Sequence, residues 1–246
     1  MKDRRIAIVT GAGKGIGRAI SLALVEDNCF VCLVDIDKLS GEELQGTIGE
    51  QDSCFYNCDI SDSDSVLTLI QSILSEHKRI DVLINNAGII RDNMIHNMPE
   101  ADFDAVIDIN LKAVWRLCKE AAIVMRKQGL GNIVNISSRA WLGNRGQTNY
   151  ASSKAGIIGL TRTLAIELGK YNVMVNVVAP GLIDTPLTEK LSDEIKAQLI
   201  KVQPINHMGS TQDVAKAVAF FAAEQNKFIT GQVLYVDGGK SIGAGI

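Results

Sequence analysis

The sequence predicts an α/β fold: one doubly wound parallel sheet of about seven strands with helices on both faces. Three observations predict it. Short β-branched and apolar runs alternate with longer helix-compatible segments through most of the chain. The runs are near-continuously apolar rather than alternating, as strands covered on both faces are. Finally, 246 residues with 46% hydrophobic content can fill one large core, with no repeat, low-complexity tract or linker to divide 1–246 into two domains.

The elements follow in order. RIAIVT at 5–10 is a strand that passes through a glycine-rich turn into a helical segment at 15–26. CFVCLVD at 29–35 precedes a helix near 38–49, and CFYNCD at 54–59 precedes one near 62–78. IDVLINN at 80–86 leads to a long helical segment over 99–128, and NIVNIS at 132–137 leads to another over 147–170. VMVNVVA at 173–179 and QVLYVD at 232–237 complete the strands. Between these two, 181–210 runs to the next helix without a strand. Such an excursion past a strand's C-terminal end is a natural substrate lid, expected at about 184–206.

Net charge is −3 and no block of Lys or Arg stands out, which argues against a nucleic-acid surface. MKDRRIAIVTGAG does not read as an export signal, and no run reaches the roughly 18 to 20 apolar residues of a membrane span, so a soluble, cytoplasmic protein is expected. Five cysteines, an odd number, are expected as free thiols. Cys29 and Cys32 have metal-like spacing, but they sit in a strand pattern and no histidine stands at zinc-ligand spacing from them, so no metal is expected.

The glycines Gly11, Gly15 and Gly17 stand between a strand and a helix. There they let the backbone approach a pyrophosphate held at the positive helix end, the arrangement of a Rossmann-type dinucleotide site. Asp35 ends the second strand 18 residues after Gly17, close to the offset of roughly 20 at which an acid bonds the ribose hydroxyls. A carboxylate there favours NAD(H) and repels a 2′-phosphate. Lys14 pulls the other way, so NADP(H) stays open, and an Asp that merely ends a strand in a turn is the alternative. Asp59 is a candidate for the adenine edge or an ordinary helix cap.

Tyr150 and Lys154 are four apart and share a helix face. A neighbouring ammonium lowers the pKa of a phenol, which would let Tyr150 exchange a proton with a carbonyl oxygen. TGAGKGIG at 10–17, NNAG at 85–88, Asn110 in DINLKAVW, Ser138 in NISS, YASSK at 150–154, PGLIDT at 180–185 and ITGQVLYVDGG at 229–239 together resemble the short-chain dehydrogenases/reductases over nearly the whole chain.

That resemblance implies Tyr150 as acid-base residue, Ser138 on the substrate oxygen, Lys154 on the nicotinamide ribose and Asn110 on a water leading from Lys154 to solvent. It implies Lys14, Ile16, Ile60, Asn86, Ala87, Gly88, Pro180, Gly181, Ile183 and Thr185 around the cofactor, Ile183 and Thr185 at its carboxamide, and no metal. The interval from Ser138 to Tyr150 is one residue shorter than the family's usual one. The missing residue falls around 141–144, and a reshaped pocket wall carrying Trp141 is expected.

Within the family the chain most resembles the 3-oxoacyl-[acyl-carrier-protein] reductases, which implies reduction of a 3-oxoacyl thioester. The alternatives are an NAD-dependent dehydrogenase of a secondary alcohol or 3-hydroxyacyl-CoA, and a non-catalytic sensor of NAD(H). The positions of two arginines that grip the acyl carrier protein in those reductases correspond here to Gly129 and Tyr171, with Arg126, Lys127 and Lys170 close enough to substitute. The resemblance also implies a homotetramer.

Overall fold

The computed structural model describes residues 4–186 and 188–242. Seven strands form one all-parallel sheet: β1 (Arg5–Thr10), β2 (Cys29–Asp35), β3 (Ser53–Asn57), β4 (Val82–Asn85), β5 (Gly131–Ile136), β6 (Val173–Pro180) and β7 (Val233–Val236). Their order is β3-β2-β1-β4-β5-β6-β7, so the winding reverses between β1 and β4. A crevice opens at such a switch point, outside the C-terminal strand ends.

The helices are α1 (Gly15–Glu26), α2 (Lys38–Ile48), α3 (Ser63–His77), α4 (Glu100–Ile107), α5 (Ala113–Gln128), α6 (Thr148–Leu168), α7 (Asp193–Lys201) and α8 (Thr211–Ala222). Strand alternation decides which helix covers which face. Ile6 and Ile8 of β1 enter a core under α3, α5 and α6, while Ala7 and Val9 enter one under α1 and α8. Each fully buried Ile or Leu, such as Ile8 and Leu33, contributes roughly 2 kcal/mol of apolar transfer. The same alternation separates Cys29 and Cys32 into different cores, and all five cysteines are free.

The segment expected as one helix over 99–128 is broken. α4 stops at Ile107, a π-helical turn spans Asp108–Lys112, and α5 resumes at Ala113. A π turn widens the helix by one residue, and such turns are frequent at functional sites. The excursion over 181–210 also differs from expectation, because it contains α7, capped by the Ser192 hydroxyl on the Ile195 N–H with Asp193 and Glu194 in its first turn. β3 ends at Asn57, two residues before Asp59. Among the described residues no helix is long and apolar enough to cross a membrane, and no three His, Cys, Asp or Glu side chains gather into a metal-sized cluster.

Candidate active site

The glycine turn is built by close backbone approach. Gly11 and Gly15 have φ of +62° and +54°, a region that favours glycine. Gly17 is required by packing, since a Cβ there would lie 1.9 Å from the Gly11 carbonyl oxygen. α1 starts at Gly15 with neither a side-chain cap nor an acidic residue in its first turn, so its first N–H groups and positive dipole end are left for an external anion. Asn86 fastens the turn from the next strand end, its Nδ2 donating to the carbonyls of Thr10 at 3.0 Å and Gly11 at 3.1 Å. A Cβ on Gly15 would come within 4 Å of Thr185 and Pro186, so the start of the excursion lies against the same turn.

Asp35 sits at this turn with both oxygens engaged. One accepts from the Gly13 N–H at 2.8 Å and the other from the Asp37 N–H at 2.9 Å, which fixes the carboxylate while each oxygen retains a lone pair. Lys14 is held by Asp37 at 2.6 Å. That hydrogen bond raises the lysine and, with Ser40, holds the Asp37 carboxyl down to about 2.

Tyr150 and Lys154 lie one turn apart on α6, with Nζ 5.6 Å from the tyrosine ring centre. Ser138 follows β5, and its hydroxyl lies within hydrogen-bonding reach of the Tyr150 phenol. Ser137 faces the other way and donates to the Lys154 carbonyl at 2.8 Å, so Ser138 is the serine turned toward the tyrosine. Lys154 Nζ donates to the Ile136 carbonyl at 2.9 Å, which ties α6 to the end of β5. Asn110, fully buried in the π turn, brackets the backbone of Ile89: its Oδ1 accepts from the N–H at 2.8 Å and its Nδ2 donates to the carbonyl at 2.9 Å. A Cβ on Gly88 would lie 3.1 Å from Asn110 Oδ1 and 3.5 Å from Lys154 Nζ. Asn110 and Lys154 thus meet at Gly88, and Lys154 neighbours Tyr150, which in turn pairs with Ser138.

The electrostatics correct one expectation. Burial pushes the Tyr150 phenol above its ordinary value, partly offset by Ser138 and reinforced by Asp92, and the expected lowering by Lys154 does not prevail. The reason is shared desolvation, because burial also lowers Lys154 itself, to about 8. The phenol is therefore held protonated at neutral pH, as a proton donor requires.

Several other expected residues turn their side chains elsewhere. Asp59 is exposed and its Oδ1 is taken by the Ser61 N–H at 2.9 Å and the Ser61 hydroxyl at 2.7 Å; the cap of α3 is Asp62. Ile60 and Ile183 bury their side chains in the two cores, and Ile16 packs against the second. Ile183 bridges Gly209 through the Leu182 carbonyl and the Asp184 N–H, which turns its own N–H away from that bridge. Pro180 ends β6, and Gly181 is required by Asp237, whose Cβ would lie 2.7 Å from an added Cβ. Ala87 donates its N–H to Thr10 Oγ1 at 3.1 Å.

Thr10 itself was missing from the expected set, although it is buried and accepts from the N–H groups of both Asn86 and Ala87. A small hydroxyl at a strand end facing NNAG is the signal for it. Asp92 was passed over too: it accepts from Gln147 Nε2 at 2.8 Å and straps the segment after β4 to the start of α6. Trp141, expected in a pocket wall, lies in a 3-10 turn over Arg139–Leu142 and packs against the core under α3, α5 and α6.

Comparison with known proteins agrees with this architecture. The family model described as enoyl-(acyl carrier protein) reductase matches residues 11–241. The 3-oxoacyl-[acyl-carrier-protein] reductase of Thermotoga maritima is 40% identical over 242 residues, covering 96% of this chain and 98% of that one. Its Staphylococcus aureus counterpart is 41% identical over 246 residues, covering 97% and 99%. A (2S)-[(R)-hydroxy(phenyl)methyl]succinyl-CoA dehydrogenase subunit of Thauera aromatica is 40% identical over 251 residues, covering 99% of each. The fold and the relatives define an NAD(P)-dependent oxidoreductase acting on C=O and CH–OH groups. The chain belongs to the short-chain dehydrogenase/reductase family.

Proposed function

We propose that the chain reduces a 3-oxoacyl thioester to the 3-hydroxyacyl thioester, with NADH preferred. The observation that carries this reading is the chain of contacts from Ser138 through Tyr150 to Lys154, with Lys154 and Asn110 both beside Gly88. A bound nicotinamide dinucleotide would supply the hydride. The N–H groups at the start of α1 fit its pyrophosphate and Asp35 fits its ribose. The Gly88 backbone, the Ile183 N–H and Thr185 would hold its nicotinamide end. Ser138 orients the carbonyl oxygen, Tyr150 gives it a proton, and Lys154 with Asn110 restores that proton from solvent.

NADH is favoured because Asp35 is fixed by two backbone N–H groups and the one cation in the turn, Lys14, is already paired with Asp37. A 2′-phosphate would meet two carboxylates and a spent ammonium. Nicotinamide fluorescence titration should show NADH binding at least about tenfold tighter than NADPH, a difference of about 1.4 kcal/mol. Asp35→Ser should erase most of that gap; equal affinity for both cofactors in the unaltered protein overturns the choice. Adding acetoacetyl-CoA and an acetoacetyl carrier protein to each mixture then tests the reaction, and no turnover of either thioester would defeat it.

A carrier-borne substrate fits a basic exposed cluster, where Arg126 stacks 4.7 Å from the Tyr171 ring centre and Lys170 lies 5.1 Å from it. The second reading, NAD-linked oxidation of a 3-hydroxyacyl-CoA, is favoured by the fixed Asp35 and by the likeness to the Thauera dehydrogenase subunit. The excursion with α7 is read as the substrate lid. We further read the assembly as a homotetramer built on α5, α6 and β7, because Trp115, Ile123, Ile166 and Leu234 are exposed apolar side chains on those elements. Light scattering should give the mass of four 26.6 kDa chains; a monomer overturns it.

A further inference from the structure

Arg139 is the next residue after Ser138, and its guanidinium has an unusual setting. Its Nε is buried without a hydrogen-bond partner, and no carboxylate among the described residues pairs with the side chain. A second cation is near: Lys240 lies within electrostatic reach of Arg139. The nearest acid in sequence, Asp237, is committed to the N–H groups of Gly239 at 3.0 Å and Ser241 at 2.8 Å. A buried guanidinium donor with no partner calls for one from elsewhere, and a second cation within electrostatic reach favours an anion.

Lys240 has a definite location. The turn over Asp237–Lys240 packs on Gly181 at the end of β6, and Lys240 Nζ donates to the Val202 carbonyl at 2.6 Å. The Ile205 N–H donates to the Gly238 carbonyl at 3.0 Å, so the chain after α7 closes the same side. Arg139 therefore adjoins Ser138, where the reacting carbonyl is read to bind, while Lys240, within electrostatic reach of it, is tied to the excursion read as the lid.

We propose that Arg139 and Lys240 form a subsite for a carboxylate carried on the acyl part of the substrate, so that the natural substrate is an acidic 3-oxoacyl thioester. This rests on the 3-oxoacyl reading above. A guanidinium fork matches a carboxylate in two parallel N–H···O bonds, and Lys240 adds a point charge. The phosphates of a coenzyme or carrier arm are the other anion in such substrates, but the pantetheine arm separates them from the reacting carbonyl, whereas Arg139 adjoins Ser138.

The test compares N-acetylcysteamine thioesters of acetoacetate and 3-oxoadipate, which lack phosphate, with the matching CoA thioesters. The unaltered enzyme should show kcat/KM at least tenfold higher for both 3-oxoadipyl thioesters. Arg139→Met should remove about thirtyfold from those and less than about threefold from the acetoacetyl pair, with Arg139→Lys intermediate and Lys240→Met losing about fivefold. Equal losses on all four substrates, no carboxylate preference, or a loss that follows the CoA phosphates instead would each overturn the subsite. Should no thioester turn over, the reductase reading falls and the subsite is judged by adipate binding to the NADH-saturated protein. Binding weakened at least tenfold by Arg139→Met upholds it, and unchanged binding overturns it.

Discussion

Tyr150→Phe should lower kcat by about a thousandfold, within the range general acid catalysis supplies and equal to about 4 kcal/mol of barrier. The substitution removes only the phenolic oxygen. The ring keeps its place in the first turns of α6, and the backbone hydrogen bond from the Tyr150 N–H to Asn149 Oδ1 at 2.7 Å is untouched. NADH affinity should therefore stay within about threefold, since the glycine turn and Asp35 are unaltered. Stopped-flow reduction of acetoacetyl-CoA beside a fluorescence titration of NADH separates the two quantities. Retention of more than a tenth of the activity would remove Tyr150 from the proton path.

Lys154→Met should cost about a hundredfold or more in kcat and change the pH behaviour. Because burial lowers Lys154 to about 8, the unaltered enzyme should lose reductive rate as pH rises through 8, where the ammonium beside the phenol disappears. The variant's residual rate should lack that limb. Stability gives an independent reading. The lysine's ordinary value is 10.5, so between pH 8 and 10.5 the unfolded chain binds more protons than the fold, and folding gains stability as pH rises. Below pH 8 the full cost of burying the ammonium is present. The melting temperature of Lys154→Met, measured relative to the unaltered protein, should thus fall steadily across that window. A constant difference would mean that Lys154 titrates normally.

The parts legible in the sequence are those where local pattern and tertiary role coincide. β1, α1 and β2 have the expected bounds because an apolar run, a glycine turn and a helical segment follow one another without ambiguity. Tyr150 and Lys154 were visible as residue types at a set spacing, but Ser138, Asn110 and the meeting of the four were implied only by resemblance. The π turn that holds Asn110 left no periodic trace, because 99–128 stays apolar and charged at helical spacing; Asn110 as the cap of a helix interruption was an alternative reading, and in the fold its side chain bonds back to Ile89. The pKa of Tyr150 was misread in direction because spacing reports a neighbouring charge, whereas desolvation depends on everything packed around the site. Ile60 and Ile183 were named for a cleft from their place beside motifs, and only packing reveals that their side chains belong to the cores.

The alternation along β1 has a consequence for where this chain can gain or lose residues. Ile6 and Ile8 serve one core, and Ala7 and Val9 the other. Inserting or deleting one residue within the strand would exchange two large side chains for two smaller ones in both cores together, overfilling one and hollowing the other. Length variation is consequently confined to the rims of the sheet. The interval between Ser138 and Tyr150, read from the sequence as one residue short, lies at such a rim: a change of count around 141–144 would shift no strand and would leave Ser138 and Tyr150 on their anchors.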